Sequence, residues 1–216
     1  MNIKSSIFEN NNSHDGSVIY LKKQKNIDKN YTKIMEIFNS SFIKNHAEYF
    51  GGVFYIDDYL DTINIKESKF EKNKAYAGSI FYFNQIMNIT SNIYKEFEKK
   101  NSVNDNSIES HGKIYASKPY RINWLNKNKN LSKIIIKSGE TYPLRFELVD
   151  YFNQNVIDRS KYYLNPVINI REENIMTDNE IKLQYENDIV FKGNSCHFEN
   201  GKIICIINII YIISFK

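Results

Sequence analysis

The chain has 216 residues, 42% of them hydrophobic, and a formal net charge of +4 at neutral pH. That length holds one large domain or two ordinary ones and can bury a real core, and the apolar share excludes a disordered chain. Lysines and glutamates interleave along it, so the small positive balance reads as a solvated surface and no nucleic-acid partner is expected.

Thirty asparagines stand beside heavy use of Lys, Ile and Tyr, the imprint of an AT-rich genome, and they inflate every Asn-based motif. No apolar leader follows Met1; a repeat begins at once. A solenoid needs a cap on its terminal rung, and none precedes Ser6, so the N-terminus is expected to be incomplete. The first copy runs Ser6-Ile7-Phe8-Glu9-Asn10-Asn11 and reaches Gly16-Ser17-Val18-Ile19-Tyr20. The second runs Ser40-Ser41-Phe42-Ile43-Lys44-Asn45 and reaches Gly51-Gly52-Val53-Phe54-Tyr55-Ile56. The third runs Ser68-Lys69-Phe70-Glu71-Lys72-Asn73 and reaches Gly78-Ser79-Ile80-Phe81-Tyr82-Phe83. Each also has a small residue two after the Asn: Ser13, Ala47 and Ala75.

Self-similarity of this kind means stacked structural units. Met35-Glu36-Ile37-Phe38 and Ile63-Asn64-Ile65-Lys66 alternate apolar and polar residues, the period of a half-buried strand. The runs after the glycines are aromatic and β-branched, which suits a further strand. The unequal spacing of the copies favours a coil of strands with loops of varying length over a fixed helical repeat. Rungs of such a coil lie about 4.8 Å apart, so equivalent side chains form ladders. Phe8, Phe42 and Phe70 are expected to stack inside, and Asn11, Asn45 and Asn73 to sit at a bend with each amide bonding the next rung's backbone.

A fourth rung is degenerate. Met87-Asn88-Ile89-Thr90 begins like the others, but no Phe-x-x-Asn follows in register, and residues 95–106 read as a charged loop. The pattern resumes at Ser110-His111-Gly112-Lys113-Ile114. Residues 126–130 read as a polar linker, which sets the expected domains at 1–125 and 131–210. Beyond it, residues 133–139, 144–150, 163–171, 181–185 and 188–192 have the spacing of short strands in a small antiparallel sandwich, with a turn at 150–155.

Asn200-Gly201 is a hairpin signal that places Cys196 opposite Cys205 at a non-hydrogen-bonded site, where Cα atoms approach to about 4.5 Å. A cross-strand disulfide and two reduced core cysteines are both compatible with that pairing. Metal binding by Cys196, His197 and Cys205 is not expected, because His197 points to the opposite face and a fourth ligand is missing. The apolar run at 203–215 is too short for a membrane helix, so any membrane attachment is expected only through segments outside this chain.

Parallel coils of strands often carry glycan-cleaving chemistry. Asp57, Asp58 and Asp61 are the compact acidic cluster that could serve as acid and base or hold calcium. They fall between rungs, where a solvated loop is equally in place. No Gly-His-Gly, Gly-x-Ser-x-Gly, phosphate loop or zinc motif occurs, and Arg121 is followed by Ile122-Asn123 where a neighbouring rung would need Arg-x-Lys, so neither a catalytic residue nor a metal or cofactor is expected. Sequons stand at Asn11, Asn30, Asn39, Asn88 and Asn130, a number that asparagine abundance alone explains.

The Ser-x-Phe-x-x-Asn-x-Ala…Gly-Gly/Ser-apolar pattern resembles the repeat of polymorphic outer-membrane-type proteins over residues 1 to about 85. That resemblance implies a right-handed parallel β-helix of the pectin-lyase type. The continuation through His111-Gly112-Lys113-Ile114-Tyr115-Ala116-Ser117-Lys118-Pro119, to about residue 200, resembles large membrane-anchored surface proteins of ciliates, in which such a rung precedes a β-rich module. The expected chain is therefore all-β: a short right-handed parallel β-helix followed by a small Ig-like β-sandwich. The resemblance implies a non-enzymatic surface protein, structural or adhesive, on the extracellular face or secreted, with extracellular glycans or proteins as its partner classes. The alternative is a polysaccharide lyase or hydrolase with its site upstream or at the 57–61 loop.

Overall fold

The computed structural model describes residues 1–22, 34–57, 60, 62–84, 92–124, 144–157, 162–163, 181–184, 195–198 and 202–205. The fold is all-β, built on stacked parallel sheets compatible with a β-helix. The first rung contributes β1 (Asn2–Lys4), β2 (Ile7–Glu9), β3 (Asn12–Asp15) and β4 (Ile19–Leu21). The second contributes β5 (Ile34–Phe38), β6 (Ser41–Ile43), β7 (His46–Phe50) and β8 (Phe54–Ile56). The third contributes β9 (Thr62–Lys66), β10 (Lys69–Glu71), β11 (Lys74–Ala75) and β12 (Phe81–Phe83). Each rung lays one strand on each of the stacked sheets, and all these pairings are parallel.

Each rung turns three corners, and the sequence supplies them in two ways. Gly16, Gly51, Gly78 and Gly112 have φ between +53° and +70°, and their corner is walled in: a Cβ at Gly78 would stand 2.1 Å from the Phe81 carbonyl oxygen. Only glycine fits there. At the other two corners a side chain can point into solvent, and the left-handed residues are Ser5, Asn39 and Glu67 at one, and Asn10, Lys44, Lys72 and Asp105 at the other. Non-glycine residues carry a steric cost in that region, so these corners depend on the hydrogen bonds made beside them.

The inward positions form an apolar core. Ile3, Ile37 and Ile65 stand in register, as do Met35 with Ile63, Ile19 with Phe54 and Phe81, and Leu21 with Ile56 and Phe83. Ala47 and Ala75 are buried where the chain bends close to its neighbours.

The fourth rung corrects the expectation of a loop at 95–106. Its strands are β13 (Ser102–Asn104), β14 (Ser107–Ile108) and β15 (Tyr115–Ser117), each joined in parallel to the third rung. In place of a strand on the first sheet it has the helix α1 (Asn92–Lys100), tied by the Glu67 N–H donating to the Lys100 carbonyl at 2.9 Å. The register passes through Phe70 to Val103 and through Asn73 to Asn106, so an aliphatic residue hides the repeat from a search for Phe.

The chain divides into two compact units. The first comprises 1–120 with 149–156, and the second comprises 121–148 with 157–216. Residues 149–156, read from the sequence as part of the later module, thus fall within the first unit, where Asp150 and Gln154 bond to the fourth rung.

Further along the chain lie β16 (Pro119–Trp124), β17 (Leu144–Asp150), β18 (Ile181–Gln184), β19 (Ser195–Phe198) and β20 (Lys202–Cys205). β17 pairs antiparallel with β19, and β18 antiparallel with β20. The 126–130 linker, the strands expected at 133–139 and 188–192 and the Asn200-Gly201 turn lie outside the described residues, as do all but residue 163 of the strand expected at 163–171 and all but 203–205 of the run at 203–215. No described helix is long and apolar enough to cross a membrane.

Candidate functional site

Three ladders built from the Ser-x-Phe-x-x-Asn motif run along the first unit beside a stack of Tyr20, Tyr55 and Tyr82, and they decide which repeated residues remain available for chemistry. In the aromatic ladder Phe8 stacks on Phe42 at 5.1 Å and Phe42 on Phe70 at 4.8 Å, with planes within 7° of parallel. The next position is Val103, and the ring that follows Phe70 comes instead from α1: Phe97 lies 5.2 Å from Phe70 and 5.1 Å from Phe81.

The asparagine ladder has a fixed bonding rule. The backbone N–H and the Nδ2 of Asn11 both donate to Asn45 Oδ1, at 3.1 and 2.8 Å. Asn45 donates in the same way to Asn73, and Asn73 to Asn106, at 2.9 to 3.0 Å. The second Nδ2 hydrogen of each later asparagine reaches back to a carbonyl of the preceding rung: Asn45 to Phe8, Asn73 to Phe42 and Asn106 to Phe70. Asn45 and Asn73 have no exposed surface. A buried polar group needs such partners, and no ligand is required to explain these amides.

A third ladder escaped the sequence reading although its residues were in the quoted motif. The Ser6 N–H donates to Ser40 Oγ, the Ser40 N–H to Ser68 Oγ and the Ser68 N–H to Asn101 Oδ1, at 3.0 to 3.2 Å. Asparagine substitutes for serine in the fourth rung because its side chain also offers an acceptor oxygen.

A buried ionisable pair closes the first unit. His111 Nε2 faces the Ser117 carbonyl at 2.9 Å, so this nitrogen carries the hydrogen, and Nδ1 lies 2.9 Å from Ser110 Oγ. Asp150 accepts from the Ser117 N–H, the Gln154 N–H and the Gln154 amide, at 2.9 to 3.2 Å. His111 Nε2 and Asp150 Oδ2 are 3.9 Å apart, with side chains 1% and 0% exposed. Burial pushes the Asp150 carboxyl above its ordinary range, against its backbone hydrogen bonds and the nearby imidazole, which act to lower it.

Serine, histidine and aspartate are thus together, but not as a catalytic group. A general base must reach a substrate proton. Here the imidazole is spent on Ser117 and Ser110, and the carboxylate on the 150–154 turn. The cluster fastens residues 149–156 to the fourth rung. The signal in the sequence was a histidine beside the corner glycine Gly112 and an aspartate opening a turn, too far apart to be joined without the fold.

The remaining candidates are placed as follows. Asp57 Oδ1 accepts from Asn84 Nδ2 at 2.6 Å, which gives this carboxylate a structural partner; Asp58 and Asp61 lie outside the described residues. Among the described residues no group of His, Cys, Asp and Glu could hold a metal ion. Asp15 is half-buried and its carboxyl is pushed up by desolvation, while accepting from the Phe50 N–H. Burial likewise pushes up the hydroxyls of Tyr20 and Tyr55, whose rings stack at 4.6 Å. Cys196 stands opposite Phe146 in one sheet and Cys205 opposite Ile181 in another, and their side chains lie outside the described residues. Asn11 is engaged in its ladder and Asn39 is exposed; Asn30, Asn88 and Asn130 are outside the described residues.

No protein-family profile, curated protein or solved structure matches this chain.

Proposed function

We propose that the chain is a non-enzymatic surface protein, structural or adhesive, of the polymorphic outer-membrane-type repeat kind found in large ciliate surface proteins. In this reading it is displayed on the extracellular face of a membrane or secreted. The first unit is a right-handed parallel β-helix of the pectin-lyase type, and an Ig-like sandwich follows it.

The observation that carries the reading is the occupancy of the ladders. Every repeated inward position on the described rungs is filled by a ring, an aliphatic chain, or a serine or asparagine bonded to its neighbours. That leaves the repeat a scaffold, with outward side chains as its contact surface. The test is incubation of the purified chain with polygalacturonate and related glycans, with and without calcium. No cleavage is expected; new reducing ends or unsaturated products would overturn the reading in favour of a lyase or hydrolase.

A further inference from the structure

Along the asparagine ladder each rung hands two donors, a backbone N–H and an Nδ2–H, to a single oxygen of the next rung. Asn106 is the last described member. Its Nδ2 donates to the Phe70 carbonyl, and its own backbone N–H and second amide hydrogen meet no acceptor among the described residues. Yet Asn106 is only 5% exposed. A nearly buried residue with two unmatched donors is costly unless something completes it.

The surroundings say what would. Asn106 lines a cavity of about 290 Å³ together with Glu98, Val103, Asp105, Lys113 and Ile114. Among the described residues β13 and β14 each end their sheet on this side, so a row of backbone groups runs beside the cavity. In the inner rungs a ring three residues before the asparagine stacks over the previous one; here that space lies over Val103 and Ile114.

We infer that this edge is a strand-addition site for an extended peptide carrying an asparagine, with an apolar or aromatic residue three positions before it. The peptide's side-chain carbonyl oxygen takes both Asn106 donors, its apolar side chain enters the cavity, and its backbone pairs with β13 and β14. Main-chain pairing supplies affinity, and the Asn106 donors and the apolar cavity supply selectivity, as in other strand-addition recognition. A short peptide fits the edge because residues 149–156 already bond to β15 at Ser117 and Tyr115, which leaves β13 and β14 to extend among the described strands of the fourth rung. This goes beyond the scaffold reading by naming a partner. Its failure leaves that reading standing, because the inner ladders do not depend on it.

The probe is a capped synthetic peptide of the chain's own motif, Lys-Ser-Ser-Ile-Phe-Glu-Asn-Asn-Asn-Ser, corresponding to positions 4–13. It is titrated to millimolar concentration against the whole chain, followed by fluorescence polarisation and by the NMR signals of Asn106. Saturable binding is expected, with slowed exchange of the Asn106 N–H. Peptides with Asn11→Leu or Phe8→Ser should bind about tenfold more weakly or worse, since each leaves buried groups unmatched or the cavity empty. In the protein, Asn106→Asp keeps the oxygen that Asn73 requires but removes the Nδ2 donors, both the one held by the Phe70 carbonyl and the outward one, and binding should be lost. Should that variant fail to fold, the peptide series decides alone. No binding, or equal binding by the Asn11→Leu peptide, overturns the proposal. Competition by millimolar acetamide or acetate as effective as the peptide would point to a small acceptor instead and also overturn it. Concentration-dependent association of the chain alone, abolished by Asn106→Asp, would assign the edge to a second copy and likewise sink it.

Discussion

The third and fourth rungs share three ladder positions and fill two of them with different residues. Ser68, Phe70 and Asn73 of the third become Asn101, Val103 and Asn106 of the fourth. The hydrogen bonds survive the change because each substitute still offers an oxygen at the required place. The stacked ring does not survive at its own position; Phe97 brings a ring from a helix outside the register, tilted against Phe70 and edge-on to Phe81. A ladder is therefore defined by which group is offered at a point in space, and residue identity follows only where one residue alone can offer it.

That comparison can be broken at four levels of effect. The largest belongs to the rings. Phe70→Ala should cost about 3–5 kcal/mol in urea unfolding, as for a large buried aromatic. Phe97→Ala should cost nearly as much, because Phe97 is 7% exposed and touches two core rings. A Phe97→Ala protein as stable as wild type would show that α1 does not replace the missing ring.

Next come the asparagines. Asn73→Leu leaves the two Asn45 donors without their acceptor and takes a side-chain donor from the Phe42 carbonyl, and should cost about 2–4 kcal/mol. Asn104→Leu, at an exposed position of the same strand as Val103, should change the unfolding midpoint little. Equal losses would mean that the ladder adds nothing beyond chain composition.

A third, smaller effect is a pH dependence. The Asp150 carboxyl is raised above its ordinary 3.8 by burial, so the folded chain keeps a proton that the unfolded chain has released. The stabilisation of the protonated form is fully present below 3.8 and is lost as pH rises through the folded value. Asp150→Asn removes this titration. Its stability relative to wild type, followed by denaturant midpoints from pH 3 upward, should therefore improve as pH rises through that window. A flat difference across it would contradict the assignment.

The smallest effect concerns the corners. Lys72 has φ +55° and is exposed, so Lys72→Gly relieves strain at the expense of unfolded-state entropy and should lie within about 1 kcal/mol of wild type. Gly78→Ala, with its Cβ against the Phe81 carbonyl, should be clearly destabilised in the same urea unfolding measurement. Similar losses at the two sites would erase the distinction between open and enclosed corners.

The rungs were legible where a residue has one physical reason to be there. Phe8, Phe42 and Phe70 mark a stacked position that favours aromatic rings, and Gly16, Gly51 and Gly78 mark a corner with no room for a Cβ. The fourth rung was not legible, because Val103 and Asn101 do the same work with other side chains and the ring arrives from Phe97. The corners at Lys44, Glu67 and Lys72 were hidden for another reason: a left-handed residue facing solvent carries no compositional mark when its neighbours' hydrogen bonds hold it. The pairing of His111 with Asp150 was invisible to local pattern, since it joins residues 39 positions apart only after the chain has folded back on the fourth rung. For Cys196 and Cys205 the described registers set Cys196 against Phe146 and Cys205 against Ile181, and the Asn200-Gly201 turn that would pair the two cysteines lies outside the described residues.

Native-state hydrogen exchange read at the asparagine amides tests the ladder most directly. The backbone N–H groups of Asn11, Asn45 and Asn73 each have a side-chain acceptor on the next rung, whereas that of Asn106 has none among the described residues. The ladder requires Asn45 and Asn73 to exchange only on global unfolding and Asn106 to exchange much faster in the unliganded chain. Asn45 and Asn73 exchanging as quickly as Asn106 would contradict it.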